Sequence, residues 1–405
     1  MEYVSGGVCA PKGFRASGVH VGVKTSNTDK KDLALIVSDR ECSAAAVYTK
    51  NVVKAAPLHI TRDHLENGRA RAVIANSGNA NACAPEGEAN ARRSCLAVAE
   101  ALGIDERDVI VASTGVIGQK LPVEVIENGV GELVSNLSYD GSQDAAIAIM
   151  TTDLAMKECA AETEIGGKTV RIGGIAKGSG MIHPNMGTML AFLTTDCAIS
   201  PTMIKKALAD AANVSFNRIS VDGDTSTNDM LSLFANGMAG NDEIEKPGAD
   251  YDIFAQALNA LCVKLAIMMA ADGEGATHLI TCRVSGAKNE DEAETLSKSV
   301  ISSTLTKAAI FGADANWGRV LCAMGYSGVD FDPDSVNVSF ESKAGRIMVC
   351  EKGRGLPFDE DAAKKILTEH DVTIDIQMAA GAAECTCWGC DITYDYIKIN
   401  GDYRT

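Results

Sequence analysis

The sequence predicts a mixed α/β protein of enzyme size, and three observations support this class. The chain has 405 residues, of which 46% are hydrophobic and 22% charged, so it has ample apolar material for a core. Short apolar runs typical of strands alternate with stretches of helical periodicity. A second series of strands and helices begins at His278. We therefore expect a main α/β domain at 1–277 and a smaller α/β domain at 278–405.

Composition and charge exclude several classes of partner. The net charge of −17 argues against nucleic acid and anionic membranes, because both require basic surface. Thirteen cysteines, an odd number set mostly in apolar contexts, fit free thiols in a reducing compartment. The first residues have no leader pattern, and Lys264 interrupts the most apolar stretch. We expect a cytoplasmic enzyme with neither nucleic-acid nor membrane partners.

The predicted elements follow from periodicity and from residues that start or stop helices. Apolar runs predict strands, and 168–172 follows a Gly-Gly turn as the second arm of a hairpin. The segment 145–150 fits either a helix or a strand. The predicted strands are 32–37, 44–48, 71–75, 109–112, 168–172, 189–193 and 278–282. The predicted helices are 88–102, 201–212, 251–271, 289–305 and 359–367.

The segment from Lys177 to Leu190, KGSGMIHPNMGTML, joins a glycine-rich loop to a buried strand, and Thr188 lies at the junction. A threonine hydroxyl needs a neighbouring base to act as a nucleophile. Cutting the chain before Thr188 would free an α-amine with a pKa of roughly 7.7–8.0, which suits proton transfer. Gly187 leaves the bond unhindered. From these residues alone, a tight connection without cleavage remains the commoner alternative.

Other polar turns could contribute to a site. Ser113-Thr114-Gly115 follows a predicted strand, and the amides and hydroxyl of such a turn can converge on an oxyanion. The run 219–229 has an acidic alternation but fails the calcium-loop pattern, so we interpret it as a polar loop between strands. His183, five residues before Thr188, is expected to pack or to order the loop, and a catalytic base is the alternative role. Cys385, Cys387 and Cys390 lack the spacing of structural zinc, so no metal is expected.

Several longer strings together resemble one known family. KGSGMIHPNMGTML is similar to the maturation segment of the ornithine acetyltransferases, the bifunctional glutamate N-acetyltransferases of arginine biosynthesis. The resemblance covers essentially the whole chain and departs at Gly187 and Gly401, where the family usually has Ala. The other matching strings are NSGNANAC at 76–83, DGEGAT at 272–277, FGADANWGR at 311–319 and the tail ending at Thr405.

The resemblance implies a fold, a cleavage and a set of site residues. The fold would be a layered α/β sandwich of the self-processing, N-terminal-nucleophile type, with a C-terminal domain whose tail returns to the site. Cleavage between Gly187 and Thr188 would leave Thr188 as the nucleophile, with Thr114 and Gly115 as the oxyanion hole. The residues implied to contact substrate are Thr151, with Thr152 as the runner-up, Lys177, Thr188, Glu274, Asn400 and Thr405.

The same resemblance implies the reaction and its partners. The enzyme would move an acetyl group from N2-acetylornithine to glutamate without a cofactor, which leaves open whether acetyl-CoA is a second donor. The two cut chains would assemble as an α2β2 heterotetramer. Two alternatives remain: an amidohydrolase or aminopeptidase that uses water as the acceptor, and a ligand-binding protein that is never cut.

Overall fold

The computed structural model describes residues 1–26, 28–183 and 189–402. The expectations for Gly187, Thr188 and Thr405 therefore lie outside the described residues. The strands are β1 (Glu2–Val4), β2 (Phe14–Val19), β3 (Leu33–Tyr48), β4 (Arg69–Asn76), β5 (Val109–Ser113), β6 (Lys157–Ile165), β7 (Lys168–Lys177), β8 (Leu190–Thr195), β9 (Ile219–Ser220), β10 (Met230–Ala235), β11 (Leu279–Ala287), β12 (Asn337–Ser342), β13 (Gly345–Glu351), β14 (Arg354–Gly355), β15 (Asp371–Gln377) and β16 (Ala383–Cys390).

Helices such as α2, α3 and α5 carry their apolar residues mainly on one face and pack against the first sheet with it. Pro at the first turn and the Ser200 side chain start α5, whereas Gly103, at φ 65°, ends α2. The helices are α1 (Ala56–His64), α2 (Gly87–Leu102), α3 (Val123–Ser135), α4 (Ser142–Ala148), α5 (Pro201–Val214), α6 (Ala249–Ala271), α7 (Glu290–Ser302), α8 (Thr304–Phe311), α9 (Trp317–Gly325), α10 (Glu360–Leu367) and α11 (Tyr394–Asp402).

The strands of the described residues form two sheets. The first has nine strands in the order β1-β6-β7-β8-β10-β3-β4-β5, with β2 paired to β3 beside this path. The second has seven strands in the order β14-β13-β12-β15-β11-β16-β9. Apart from β9, the second sheet uses only strands that follow residue 278, which agrees with the predicted division at 277/278. That division stays a prediction, since β9 crosses it.

The first sheet bends back on itself into a four-layer sandwich. Successive side chains of a strand point to opposite faces, so each strand contributes to two core regions. On β8, Leu190 and Phe192 enter the central core, together with Ile110 of β5. The other face of β8 packs on α5 and α6, whereas the other face of β5 packs on α2 and α3. The observed layers are therefore helix, sheet, sheet and helix, which confirms the predicted layered α/β fold.

Three local predictions are corrected by long-range pairing. The separate strands predicted at 32–37 and 44–48 form one bent strand, β3, because β2 and β10 pair with its two halves. The helix predicted at 289–305 is interrupted at Ser303, whose side chain caps the start of α8. The ambiguous segment 145–150 lies largely in helix α4, which ends at Ala148.

Helix α6 corrects the expectation that Lys264 excludes a membrane-length stretch. By length and composition, this 23-residue helix could cross a membrane, although half of its most apolar window is buried inside the protein. Phe254, Leu258 and Leu265 lie in the core shared with α5 and the first sheet. The Lys264 ammonium lies 3.7 Å from the centre of the Tyr3 ring. Burial in the fold therefore identifies α6 as a core helix.

Candidate active site

A cavity of about 300 Å³ lies where β7 ends and where β8 and β10 begin. The turn that follows β5 reaches the same cavity from the second sheet layer. Met189 lines it, and this is the residue that follows Thr188 in the chain. Segments that are far apart in sequence thus meet at this cavity, where the carboxyl end of β7 lies beside the amino ends of β8 and β10.

The turn Thr114-Gly115 is fixed by its contact with the NSGNANAC segment. The Thr114 amide donates to the Asn76 carbonyl at 3.0 Å, since parallel β4 and β5 end side by side. Gly115 has φ +133°, and a Cβ there would lie 2.3 Å from the Gly78 carbonyl carbon. Only glycine fits such an approach of two backbones. The turn that sequence reasoning proposed for the oxyanion hole is therefore held rigidly at the cavity wall.

Lys177 is the last residue of β7 and is only 7% exposed. Its ammonium group donates to the Thr151 hydroxyl at 2.8 Å and lies 3.4 Å from the Thr114 hydroxyl. Burial lowers the pKa of Lys177, against the opposing charge of Asp153. A buried cation of this kind is well suited to bind an anionic group that enters the cavity. Thr152 also lines the cavity, but Thr151 is the threonine bonded to Lys177.

A buried ion-pair network centred on Asp153 bonds to the residue that follows Lys177. The Asp153 carboxylate accepts from the Lys157 ammonium at 2.6 Å and from the Gly178 amide at 2.7 Å. Burial acts to raise the pKa of Asp153, but the charges of Lys177 and Lys157 outweigh it and hold the pKa well below its usual range. Lys157 also contacts the Asp272 carboxylate. Removing one charge would leave the remaining buried charges less well compensated, so this network stabilises the end of β7.

Glu274 reaches the cavity from the loop after α6. It is 8% exposed, and its amide donates to the Ser179 carbonyl at 2.9 Å. The Asn400 side-chain amide, on helix α11, donates to its carboxylate at 2.8 Å. A Cβ on Gly180 would lie 2.4 Å from the same carboxylate, so the small residue admits Glu274 to the site. The tail therefore returns to the cavity and orients a carboxylate within it.

The polar loop before β10 is the part of the site that sequence reasoning missed. Ser226, Thr227, Asn228 and Asp229 all line the cavity. The Asn228 side-chain amide donates to the carbonyls of Ala80 at 2.6 Å and Ser113 at 2.7 Å, which ties the loop to both neighbouring turns. The available signal was the dense run of hydroxyl, amide and carboxyl side chains before an apolar strand. In the sequence alone such a run is typical of an ordinary connection, because its hydrogen-bond partners lie far away in sequence.

The structure therefore brings together every predicted site residue that it describes: Thr114, Gly115, Thr151, Lys177, Glu274 and Asn400. Gly187, Thr188 and Thr405 remain outside the described residues. His183 is not among the described residues that line the cavity. Its Nδ1 lies 3.0 Å from the Ser220 hydroxyl, and burial lowers its pKa to about 4. These contacts agree with the expected role in ordering the loop.

The layered α/β fold has a cavity lined by a buried lysine, a glutamate and hydroxyl groups. These features define an enzyme that acts on small charged molecules.

Comparison with known proteins identifies one family. The ArgJ family profile matches residues 15–405. The arginine biosynthesis bifunctional protein of Symbiobacterium thermophilum is 51% identical over 100% of both chains. That of Bacillus subtilis is 47% identical over 99% of this chain and 97% of its own. The chain belongs to the ArgJ family.

Solved structures of the family are also similar. The arginine biosynthesis bifunctional protein of Bacillus halodurans is 42% identical with a TM-score of 0.50, covering 52% of this chain and 98% of that chain. The ornithine acetyltransferase of Mycobacterium tuberculosis, solved in complex with ornithine, is 44% identical with a TM-score of 0.41. It covers 44% of this chain and 95% of that chain. The family predicted from the motifs is confirmed by the family profile and the full-length relatives.

Proposed function

We propose that this enzyme transfers the acetyl group of N2-acetylornithine to glutamate as a step of arginine biosynthesis. The observation that carries the proposal is a single cavity at the start of β8. This cavity is lined by Lys177, Glu274 and the Thr114-Gly115 turn. Both substrates are amino acids, with carboxylate and amino groups that a lysine and a glutamate can bind. Membership of the ArgJ family supports the same reaction.

The reaction proceeds through an acetyl ester on Thr188. The α-amine of Thr188 takes the proton of its own hydroxyl while the hydroxyl oxygen attacks the acetyl carbonyl carbon. The Thr114 hydroxyl and the Gly115 amide donate to the resulting oxyanion. The carbon–nitrogen bond breaks, and ornithine leaves with the proton that the amine returns. The amino group of glutamate then attacks the ester, which releases acetylglutamate and restores the threonine.

Charged groups place each substrate. The carboxylate of a substrate binds near Lys177, and its negative charge favours the protonated lysine that burial disfavours. Thr151 keeps the ammonium group pointed into the cavity. Glu274 and Asn400 also line the cavity, where a carboxylate suits a basic substrate group. Thr405 is assigned to substrate contact by the resemblance of the tail.

Chain cutting between Gly187 and Thr188 has independent support. The solved Bacillus halodurans chain is 98% covered by only 52% of this chain, so it is about half as long. The curated relative from Symbiobacterium thermophilum, by contrast, matches over its full length. Halves of this size are what cleavage before Thr188 produces.

We further propose that the two chains assemble as an α2β2 heterotetramer in the cytoplasm. We also propose that acetyl-CoA is a second acetyl donor.

A denaturing gel of the purified protein, followed by N-terminal sequencing, tests the nucleophile. The wild-type protein should give two fragments, the second beginning at Thr188. Thr188→Ala should give one uncut chain of 42.4 kDa without transferase activity, because both the hydroxyl and the liberated amine are lost. An uncut wild-type chain with full transferase activity would contradict the mechanism.

Product analysis separates transfer from hydrolysis by the alternative amidohydrolase. With acetylornithine and glutamate supplied together, the transferase should form acetylglutamate in step with ornithine. An amidohydrolase would release free acetate instead, with or without glutamate. Both products can be quantified in one reaction, so the balance between them decides.

A further inference from the structure

Glutamate and ornithine differ in the charge at the end of the side chain. Ornithine carries an amine there, whereas glutamate carries a second carboxylate. Among the described residues that line the active-site cavity, Lys177 is the one cation, and it is the partner of the carboxylate that both substrates share. The other ionisable groups of this lining, Asp229 and Glu274, are carboxyl groups, and like charges repel. A partner for the side-chain carboxylate of glutamate is therefore to be sought beside this cavity.

A second cavity, of about 200 Å³, adjoins the active-site cavity. Gly115, Thr151 and Thr152 line both cavities, so the two cavities meet at these residues. Lys24, which is exposed, and Lys30, which is half-buried, line the second cavity. Two cations thus lie next to the place where substrate binds but outside the cavity that holds the carboxyl groups.

The backbone of Lys24 packs against the NSGNANAC segment. Gly78 has φ +100°, and a Cβ there would lie 3.1 Å from the Lys24 Cβ. The same glycine lies against Gly115 of the oxyanion turn. Close packing at Gly78 therefore holds the backbone of Lys24 beside the active site.

Thr151 connects the cations of the two cavities. The Lys30 ammonium group donates to the Thr151 carbonyl at 2.8 Å, and the Lys177 ammonium group donates to the Thr151 hydroxyl at 2.8 Å. Both ammonium groups contact this one residue, so their separation is limited to its length plus two hydrogen bonds. The two carboxylates of glutamate are joined by a short carbon chain, and one molecule can therefore reach both cations.

The lysines give the second cavity a positive charge on balance. Asp32 also lines it, but its carboxylate accepts from the backbone amides of Val21 at 2.7 Å and Val23 at 2.8 Å, which stabilise its charge. Burial lowers the pKa of Lys30, against the opposing charge of Asp153. A carboxylate that enters the cavity adds a second negative charge and favours the protonated lysine.

We propose that the second cavity selects the acceptor, and that the side-chain carboxylate of glutamate binds there to Lys24 and Lys30 while its other carboxylate stays at Lys177. The inference rests on the proposed function, since it assigns a place to the acceptor of that reaction. The same lysines repel the cationic side chain of ornithine, which binds near Glu274 instead. Side chains of opposite charge thus use different parts of one site.

A comparison of glutamate with glutamine as the acceptor tests this assignment, because the two have the same shape and differ in side-chain charge. With the wild-type enzyme, kcat/KM for glutamate should exceed that for glutamine by about 10–100-fold, the value of a charge-assisted hydrogen bond. In the double variant Lys24→Gln/Lys30→Gln, the ratio should fall to near one through a loss with glutamate alone. Lys30→Arg keeps the charge and should retain the preference for glutamate.

Lys31→Gln is the matched control, because it removes the same charge one residue further along. Lys31 pairs with Asp144 and is not among the described residues that line either cavity. This variant should keep the wild-type ratio of glutamate to glutamine. An unchanged ratio in the double variant would overturn the proposal. So would an equal loss with both acceptors, which indicates that the two lysines only support the fold.

Isotope exchange between labelled ornithine and acetylornithine, without glutamate, measures the donor half of the reaction separately. The double variant should keep wild-type exchange, which also shows that it is folded, and a parallel loss of exchange would contradict the proposal. If the double variant does not fold, the wild-type enzyme still decides, since equal kcat/KM for glutamate and glutamine refutes the assignment. Failure of the proposed function gives a different result, a wild-type enzyme without exchange.

Discussion

At the scale of single residues, the active site depends on close packing of backbone as much as on reactive groups. Gly115 lies against Gly78 so closely that a methyl group on Gly115 would overlap the peptide that follows Gly78. Asn228 bonds at once to the turn after β4 and to the end of β5. These contacts cost backbone freedom and hold the oxyanion turn in one geometry before substrate arrives.

Replacing Thr114 tests the oxyanion role of this turn. Thr114→Ala should fold and cut itself normally, because its backbone amide still bonds to the Asn76 carbonyl. Acetyl transfer should fall by roughly 10²–10³-fold, about 3–4 kcal/mol of transition-state stabilisation. Steady-state assays of the purified, processed variant measure this loss. Thr169→Ala, on the exposed part of β7, is the control and should keep full activity. Unchanged turnover in Thr114→Ala would place the oxyanion hole elsewhere.

At the scale of elements, helix α11 connects the chain's end to the site. It exposes Tyr394 and Ile397, which are 83% and 63% accessible, so few apolar contacts hold it in place. The backbone of α11 lies close to Gly275, where an added Cβ would be 2.6 Å from the Tyr396 nitrogen. The hydrogen bond from Asn400 to Glu274 also holds the helix in position. An element attached by polar contacts at the cavity rim can serve substrate binding without supporting the core.

Deleting residues 400–405 should separate cutting from transfer. The shortened chain should still cut itself, because β8 and its core partners are intact. Transfer from acetylornithine to glutamate should fall by orders of magnitude, since Glu274 loses its Asn400 partner and both substrates lose contacts. A gel assay of cleavage and a coupled transfer assay on one preparation measure both events.

The control for this deletion is Lys398→Ala, on an exposed position of the same helix. It should retain both cutting and transfer. If the tail instead stabilises the fold, the deletion should lower the melting temperature and impair both events together. Normal transfer by the shortened protein would remove Asn400 and Thr405 from the site.

At the scale of the whole molecule, the expected cut divides one sheet between two chains. Strand β8, after the cut, pairs with β7, before it, from Lys177 opposite Leu190 to Ile172 opposite Thr195. Strand β10 likewise pairs with the second half of β3. Residues of both parts fill the central core, among them Ile36 and Phe192. Separating the chains would therefore break two strand pairings and expose an apolar core at once.

The two fragments should consequently remain together in native buffer. Size-exclusion chromatography should give one peak containing both fragments in equal amounts, and only a denaturant should separate them. The uncut Thr188→Ala protein should elute at the same volume, which makes it the reference for the assembled size. Elution of the fragments in separate native peaks would contradict this arrangement.

The sequence by itself determined the local elements and most of the site's members. Apolar runs located β5 and β8, because a strand buried on both faces must be apolar throughout. Pro201 at the start of α5 and Gly103 at the end of α2 mark helix boundaries in the sequence, because such start and stop signals are local. The resemblance of motifs identified Thr114, Lys177, Glu274 and the other predicted site residues. A motif can be matched without knowing which residues lie close together in space.

Only the tertiary structure decided how these parts combine. The continuity of β3 depends on pairing with β2 and β10, and these partners are not encoded in the residues of β3. Asp229 and Asn228 resembled an ordinary polar loop until the sheet register brought Asp229 level with Met189 and hydrogen bonds tied Asn228 to β5. Periodicity reports burial along one chain segment, whereas a site consists of contacts between segments that folding alone brings together.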